Sequence, residues 1–272
     1  MGKNKKIFYI ITGSVVLVLL GLYILIFKFS FGSSLIPVKY LSAEQVAQLV
    51  STASINNNND FLWDSMHPDD KARWKNKDEY LSTLIHQDLS YKKVSTKEVK
   101  NIISWTHPVT GKIYTNVKQI TDEFKTNDGN NTTTDTYMYG YYNDRWYFFS
   151  QLFSSKDKES IKDQAVSGPS YAELSKNANK FKGMKVKYTG KVEQIQENDN
   201  TGKLLVLDVT DLGFGFWKDA IWVSYDKGTN IIQGDIINVY GILSGVYTYT
   251  SEANYNISIP SIDGAVIEKD QK

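Results

Sequence analysis

A chain of 272 residues with 31 Lys+Arg against 30 Asp+Glu is too evenly charged for a general polyanion binder, because such domains carry a basic face. The absence of cysteine excludes disulfides, thiolate metal sites and lipid attachment through an N-terminal Cys. Hydrophobic content of 41% calls for packed cores, and the ~245 residues beyond the N-terminal segment suffice for two at roughly 100–150 residues each.

The N-terminal segment is distinctive. Residues 7–27, IFYIITGSVVLVLLGLYILIF, carry no charge. As a helix they rise about 31 Å, which matches a hydrocarbon core of about 30 Å. Lys3, Lys5 and Lys6 precede the run and Lys28 follows it. The positive-inside rule then keeps residues 1–6 in the cytoplasm and turns residues 28–272 outward. The run is longer than the apolar stretch of a cleaved signal. The alternative, a removed leader, would use Ser30 and Gly32 as a poor cleavage site. Gly13 and Gly21 are eight apart, so the close-packing G-x-x-x-G pair is missing and the span reads as a tether. Beyond residue 28, 27 Lys+Arg face 30 Asp+Glu.

Residues 40–153 read as an α+β domain. Ser42 and Gln45 form a capping-box pattern, and Val46, Leu49 and Val50 repeat at helical spacing. Pro68 suits a first helical turn, Asp69 and Asp70 suit its positive end, and Tyr80, Leu81, Leu84 and Ile85 make a second stripe. Strands then follow: KEVKNIISW, a turn at HPVTGK, IYTNVKQITDEFKT, a hairpin signal at NDGNN, TTTDTYMYGYY, a turn at Asn143-Asp144, and RWYFF. Alternation puts Tyr137, Tyr139 and Tyr141 on one face, and Trp146 with Phe148.

The polar stretch 154–169 separates the halves as a linker, its part up to about Ile161 also readable as an extension of the first domain. Residues 170–270 begin with a short helix, with Ser170 as cap and Glu173 three positions on. Five strand candidates follow, with Gly190 and Gly241 inside strands where a barrel bends sharply. Alternation turns Val186, Tyr188, Gly190 and Val192 inward and Lys185, Lys187 and Lys191 outward. Ile221, Val223 and Tyr225 read as interior and Trp222 as exterior. From residue 168 onward there are 11 lysines, no arginine and 13 acids.

The motifs MHPDDKARWKNKDEYLSTL and YNDRWYFF resemble the nuclear transport factor 2-like domains of secreted bacterial proteins, over about 110 residues. That resemblance implies a curved sheet wrapped around helices as a cone. FKGMKVKYTGKVEQI, GDIINVYGILSG and SIPSIDGAVIE resemble a bacterial OB-fold of the anticodon-binding-like type, over about 100 residues. That resemblance implies a five-stranded barrel with a binding surface on one face, and neither family fixes a ligand. The Lys- and Asn-rich, Arg-poor bias fits a bacterium with a Gram-positive-type envelope.

No dinucleotide, phosphate-loop, calcium-loop, zincin or nucleophile-elbow pattern is present. Capping explains Asp69 and Asp70, and a solvated helix face explains Asp78 and Glu79, more simply than acid–base chemistry does. His67 and His107 each precede a proline, and His86 lies on an apolar helix. The expected architecture is therefore an N-terminal transmembrane helix, an α+β cone-like domain and an all-β OB-type barrel with a short leading helix. The expected function is non-enzymatic: a single-pass cell-membrane protein, its C-terminal domains extracellular, that binds envelope proteins. Candidate binding residues are Lys187, Lys191, Trp217 and Trp222, and candidate cone-pocket residues are His86, Tyr139 and Trp146. Neither a metal nor a cofactor is expected. The rival readings are a component of a conjugation or secretion machine, a single-stranded nucleic-acid binder, and an enzyme using the cone.

Overall fold

Four helices come first among the described residues, each started by a local polar cap. The computed structural model describes residues 41–84, 91–126, 132–198, 202–225, 229–250 and 255–270, and Leu41–Lys272 clusters as one compact unit. The predicted span 7–27, the tail 1–6, His86 and the NDGNN hairpin tip lie outside the described residues. Among the described residues no helix is long and apolar enough to cross a membrane.

Helix α1 (Ala43–Ile55) starts with the expected capping box: the Ser42 N–H donates to Gln45 Oε1 at 2.8 Å, and the Gln45 N–H to Ser42 Oγ. It buries Val46, Ala47, Leu49, Val50 and Ala53 against a four-stranded sheet. Helices α2 (Asn59–Ser65), α3 (Pro68–Lys71) and α4 (Lys77–Thr83) follow, capped by Asn58, His67 and Asn76. The sheet is an antiparallel meander of β1 (Tyr91–Thr106), β2 (Ile113–Thr126), β3 (Thr132–Tyr142) and β4 (Arg145–Phe148), in that spatial order. Asn143 and Asp144, both with positive φ, close the last hairpin. The result is an α+β module, as its sequence pattern predicts.

Residues 154–169 are more than a connector. They form helix α5 (Ser155–Gln164) and a two-residue strand β5 (Val166–Ser167) that pairs in parallel with Val186 and Lys187. The stretch reads as polar because α5 buries only one apolar residue, Ile161. Ile161 packs with Val109, Phe153, Ile242 and Ala265, so one apolar cluster runs from the first module through the connector into the second.

Polar groups reinforce this seam. Asp70, 1% exposed, lies at the centre. The Val109 and Thr110 N–H groups both donate to His107 Nδ1, which places the imidazole proton on Nε2, and Nε2 donates to Asp70 Oδ1 at 3.0 Å. Arg73 Nε donates to the same oxygen at 2.7 Å, and the Ser150 N–H to Oδ2 at 2.6 Å. The other end of the guanidinium pairs with Asp157 and reaches the carbonyls of Ser150 and Leu152. Asp157 is also the capping-box carboxylate of α5, accepting from the Ser154 N–H at 2.9 Å. Burial, the largest influence on Asp70, opposes its ionisation. The hydrogen bond from His107 and the charge of Arg73 outweigh it and hold the carboxyl below its usual value. Two expectations are corrected here. Asp70 caps nothing but anchors a buried network, and Glu79 does not simply face solvent, since its carboxylate accepts from the N–H groups of Lys75 and Ser155.

Helix α6 (Tyr171–Asn177) leads into the second module, with the Ser170 N–H donating to Glu173 as its pattern predicts. The barrel strands are β6 (Lys185–Asn198), β7 (Gly202–Gly213), β8 (Phe216–Tyr225), β9 (Ile236–Thr250) and β10 (Asn256–Lys269). Their order is β6-β7-β8-β10-β9, closed by β6–β9, with β8 and β10 parallel and the other neighbours antiparallel. This ring has OB-fold topology. Val186, Val192, Leu205, Leu207, Ile221, Val223, Ile237, Val239 and Ile262 fill it, with Leu174 of α6 as a plug. Tyr225, expected inside, is half-buried with Lys158 over its ring. A Cβ at Gly190 would come within 2.5 Å of the Asp208 carbonyl, and one at Gly241 within 2.4 Å of the Asp263 carbonyl, so glycine is required where the ring closes.

Two outcomes follow from this packing. Arg73→Ala, which leaves Asp70 and Asp157 buried without their cation, is expected to cost about 3–5 kcal/mol in urea unfolding. At the start of α1, the hydrogen bond from Lys118 holds Glu44 down to about 2. The resulting stabilisation is present above the ordinary value of 4.5 and is lost as pH falls toward about 2. The pair is partly exposed, so Glu44→Gln should lower stability at neutral pH by only about 0.5 kcal/mol. The gap to wild type should close in melts recorded between those two pH values.

Candidate binding surface on the barrel

The feature that organises the outer barrel face is a bend in β9. Gly245 has φ +103, and the β9–β10 register slips there, Gly245 pairing Ser261 but Leu243 pairing Ile262. Beyond the bulge, residues 246–250 and 256–260 no longer touch β6 and continue as a two-stranded arm. Alternation then brings Tyr247 and Tyr249 to one face of the arm, above Trp222 of β8. The three rings are stacked: Trp222 to Tyr247 at 4.2 Å and 16°, Trp222 to Tyr249 at 5.7 Å and 29°, and Tyr247 to Tyr249 at 6.3 Å and 21°. Trp222 does point out of the ring, as alternation predicts. It is nevertheless only 4% exposed, because the tyrosines cover it. The accessible surface is therefore Tyr247, with Val246, Tyr255 and Ile257 also exposed on the arm. Trp222 Nε1 is buried and finds no hydrogen-bond partner among the described residues.

The other barrel candidates do not converge on this stack. Lys191 shares the outer face, one row away, opposite Asp208 of β7, but its ammonium reaches the Gly215 carbonyl at 3.3 Å. Trp217 is half-buried at the base of the β7–β8 hairpin, paired with Asp211. Lys187 lies on the β6–β9 side, where it and Lys162 stand over the Tyr240 ring at 5.5 and 5.4 Å.

In the first module, Tyr139 is 1% exposed and sits in register with Phe148. Its hydroxyl is buried without a hydrogen-bond partner among the described residues and feels Asp122 and Asp135; burial first, then these charges, push it well above the usual tyrosine value. Asp122 and Asp135 face each other across β2 and β3, and Ser51 of α1 donates to Asp122 at 2.6 Å. Burial, then the charge of Asp122, raises Asp135. Trp146 lies at the edge, tilted against Tyr141 at 5.2 Å with Lys118 over its ring. Tyr139 is thus buried in the interior while Trp146 is half-buried at the sheet edge. His67, the cap of α3, is buried and stacked on Phe149 at 4.6 Å, and burial lowers its pKa. Among the described residues no group of three or more His, Asp or Glu side chains is placed to hold a metal ion.

No protein-family model matches this chain, and no curated protein matches it. Among solved structures, the mitochondrial single-stranded DNA-binding protein Rim1 of S. cerevisiae aligns with 31% of this chain and 90% of its own, at 14% identity and a TM-score of 0.18. A likeness of that size says nothing about what this chain binds.

The stack makes its own prediction. Trp222→Ala removes a covered ring and should cost about 3–5 kcal/mol, whereas Tyr247→Ala removes a partly exposed one and should cost about 1 kcal/mol. A double-mutant cycle in urea should return a Trp222–Tyr247 coupling of about 0.5–1.5 kcal/mol.

Proposed function

We propose that this chain is a non-enzymatic, membrane-tethered envelope protein whose extracellular body binds a protein partner through the β9–β10 arm and the Trp222–Tyr247–Tyr249 stack. The uncharged run 7–27 with its flanking lysines supports the tether, with the N-terminus cytoplasmic. Helices followed by a meander support a nuclear transport factor 2-like first module. The short α6 before the ring supports the anticodon-binding-like form of the OB-fold. Against the enzyme reading stands the buried interior, which Ile120, Phe124 and Tyr139 occupy where a cone pocket would open.

The observation that carries the proposal is the arm: Tyr247, Tyr255 and Ile257 exposed beside a ring otherwise closed as a barrel. The same stacked rings favour a second reading, single-stranded nucleic acid, since bases stack on aromatic platforms. The excess of acids from residue 168 onward weighs for the protein partner.

A photo-crosslinking residue in place of Tyr255 in intact cells should give a discrete adduct with one envelope protein. Tyr247→Ala with Tyr249→Ala should abolish that adduct. Absence of the adduct, together with salt-sensitive binding of a dT oligomer quenched by Tyr247→Ala, would replace the protein partner with nucleic acid. External protease that fails to reach residues 41–272 in whole cells would overturn the topology.

A further inference from the structure

At the far end of the β7–β8 hairpin, Gly213 pairs with Phe216, so the loop is two residues, Phe214-Gly215. Both have positive φ, +55 and +80, which makes a primed hairpin turn. Such turns are met with least strain by Asn-Gly or Asp-Gly. This protein's other described two-residue turn uses Asn143-Asp144. Here a bulky aromatic takes the left-handed position, where its Cβ is crowded. Nothing inside the fold repays that strain, because Phe214 is fully exposed and Leu212 and Phe216 beside it are also exposed. The three apolar side chains form a convex point, the wrong shape for a pocket of this protein's own. Half-buried Trp217 and two lysines, Lys191 and Lys218, ring its base. The nearby acids are engaged: Asp211 accepts from the Gly213 N–H at 2.8 Å, and Asp219 lies 4.0 Å from Lys218.

We infer that this tip inserts into the interfacial layer of a lipid bilayer, with Phe214 as the leading side chain. The inference rests on the tether reading for its context: residues 28–40 reach at most ~45 Å when extended, so the folded body stays within range of the membrane that holds it. Aromatic and aliphatic side chains favour the interface, and Trp at the base is in keeping with an interfacial belt. Two lysines, Lys191 and Lys218, face three acids, Asp208, Asp211 and Asp219, so insertion is driven by apolar surface and needs neither anionic lipid nor low salt.

The chain has no cysteine, so Phe214→Cys carries a single environment-sensitive label. With residues 41–272, a compact unit by themselves, and neutral phosphatidylcholine vesicles, the label should be quenched by brominated lipid. The same label on Ile103→Cys, which is 91% exposed on β1, should not be. Phe214→Asn suits the turn better, so it should fold at least as stably while lowering vesicle partition about 10-fold or more. Equal quenching at both sites, or unchanged partition of Phe214→Asn, overturns the inference. So does shielding of the label without lipid that grows with protein concentration, which assigns the tip to a second copy. Full-length chain reads the tether separately. It should float with vesicles whether or not Phe214 is replaced, and if it does not float while the fragment's label is quenched, the tether falls and the tip stands.

Discussion

One guanidinium ties the first module to the connector helix that leads into the second. Arg73 is buried between Asp70, three residues ahead on α3, and Asp157, which starts α5. A lone buried charge is expensive, and a pair is tolerated only when its remaining hydrogen-bonding capacity is met. Here it is met from both sides: His107 and the Ser150 N–H complete Asp70, and the Ser154 N–H completes Asp157. Each of these partners belongs to a different segment, so satisfying one cation fixes the β1–β2 turn, the chain after β4 and the connector helix together. The apolar seam through Val109, Ile161 and Ile242 then has a defined register.

The ring beyond the seam is governed by close approach. Glycines at 190 and 241 let carbonyls of neighbouring strands lie where a side chain would stand. Gly245 then releases β9 from the ring. Closure and release on one strand explain how a small barrel with a saturated interior still presents a broad aromatic surface. The interior residues stabilise the fold, and the arm both covers Trp222 and leaves part of Tyr247 exposed.

Local signals are legible in this sequence, and long-range ones are not. The strand IYTNVKQITDEFKT is found over those very residues as β2, and the capping patterns at Ser42 and Ser170 form as read. The caps depend on interactions within four residues, and the strand is legible from turn signals at its two ends. The Ser154–Asp157 capping box was equally local, yet it was hidden in a run polar enough to pass for a linker. Asp70, His107 and Asp157 are separated by 37 and 84 residues from their partners, and no spacing announces such a meeting. Trp222 shows the same limit. Its outward direction was legible from alternation, but its covering by Tyr247 and Tyr249 depends on the direction the chain takes after Gly245.

The sharing of Asp157 bears on how the protein matures. A chain leaving the ribosome or an export channel N-terminus first delivers Arg73 well before its second counter-charge, 84 positions later. Until α5 has emerged, the early module holds a cation that water must still solvate. Its final packing is therefore tied to the arrival of the connector.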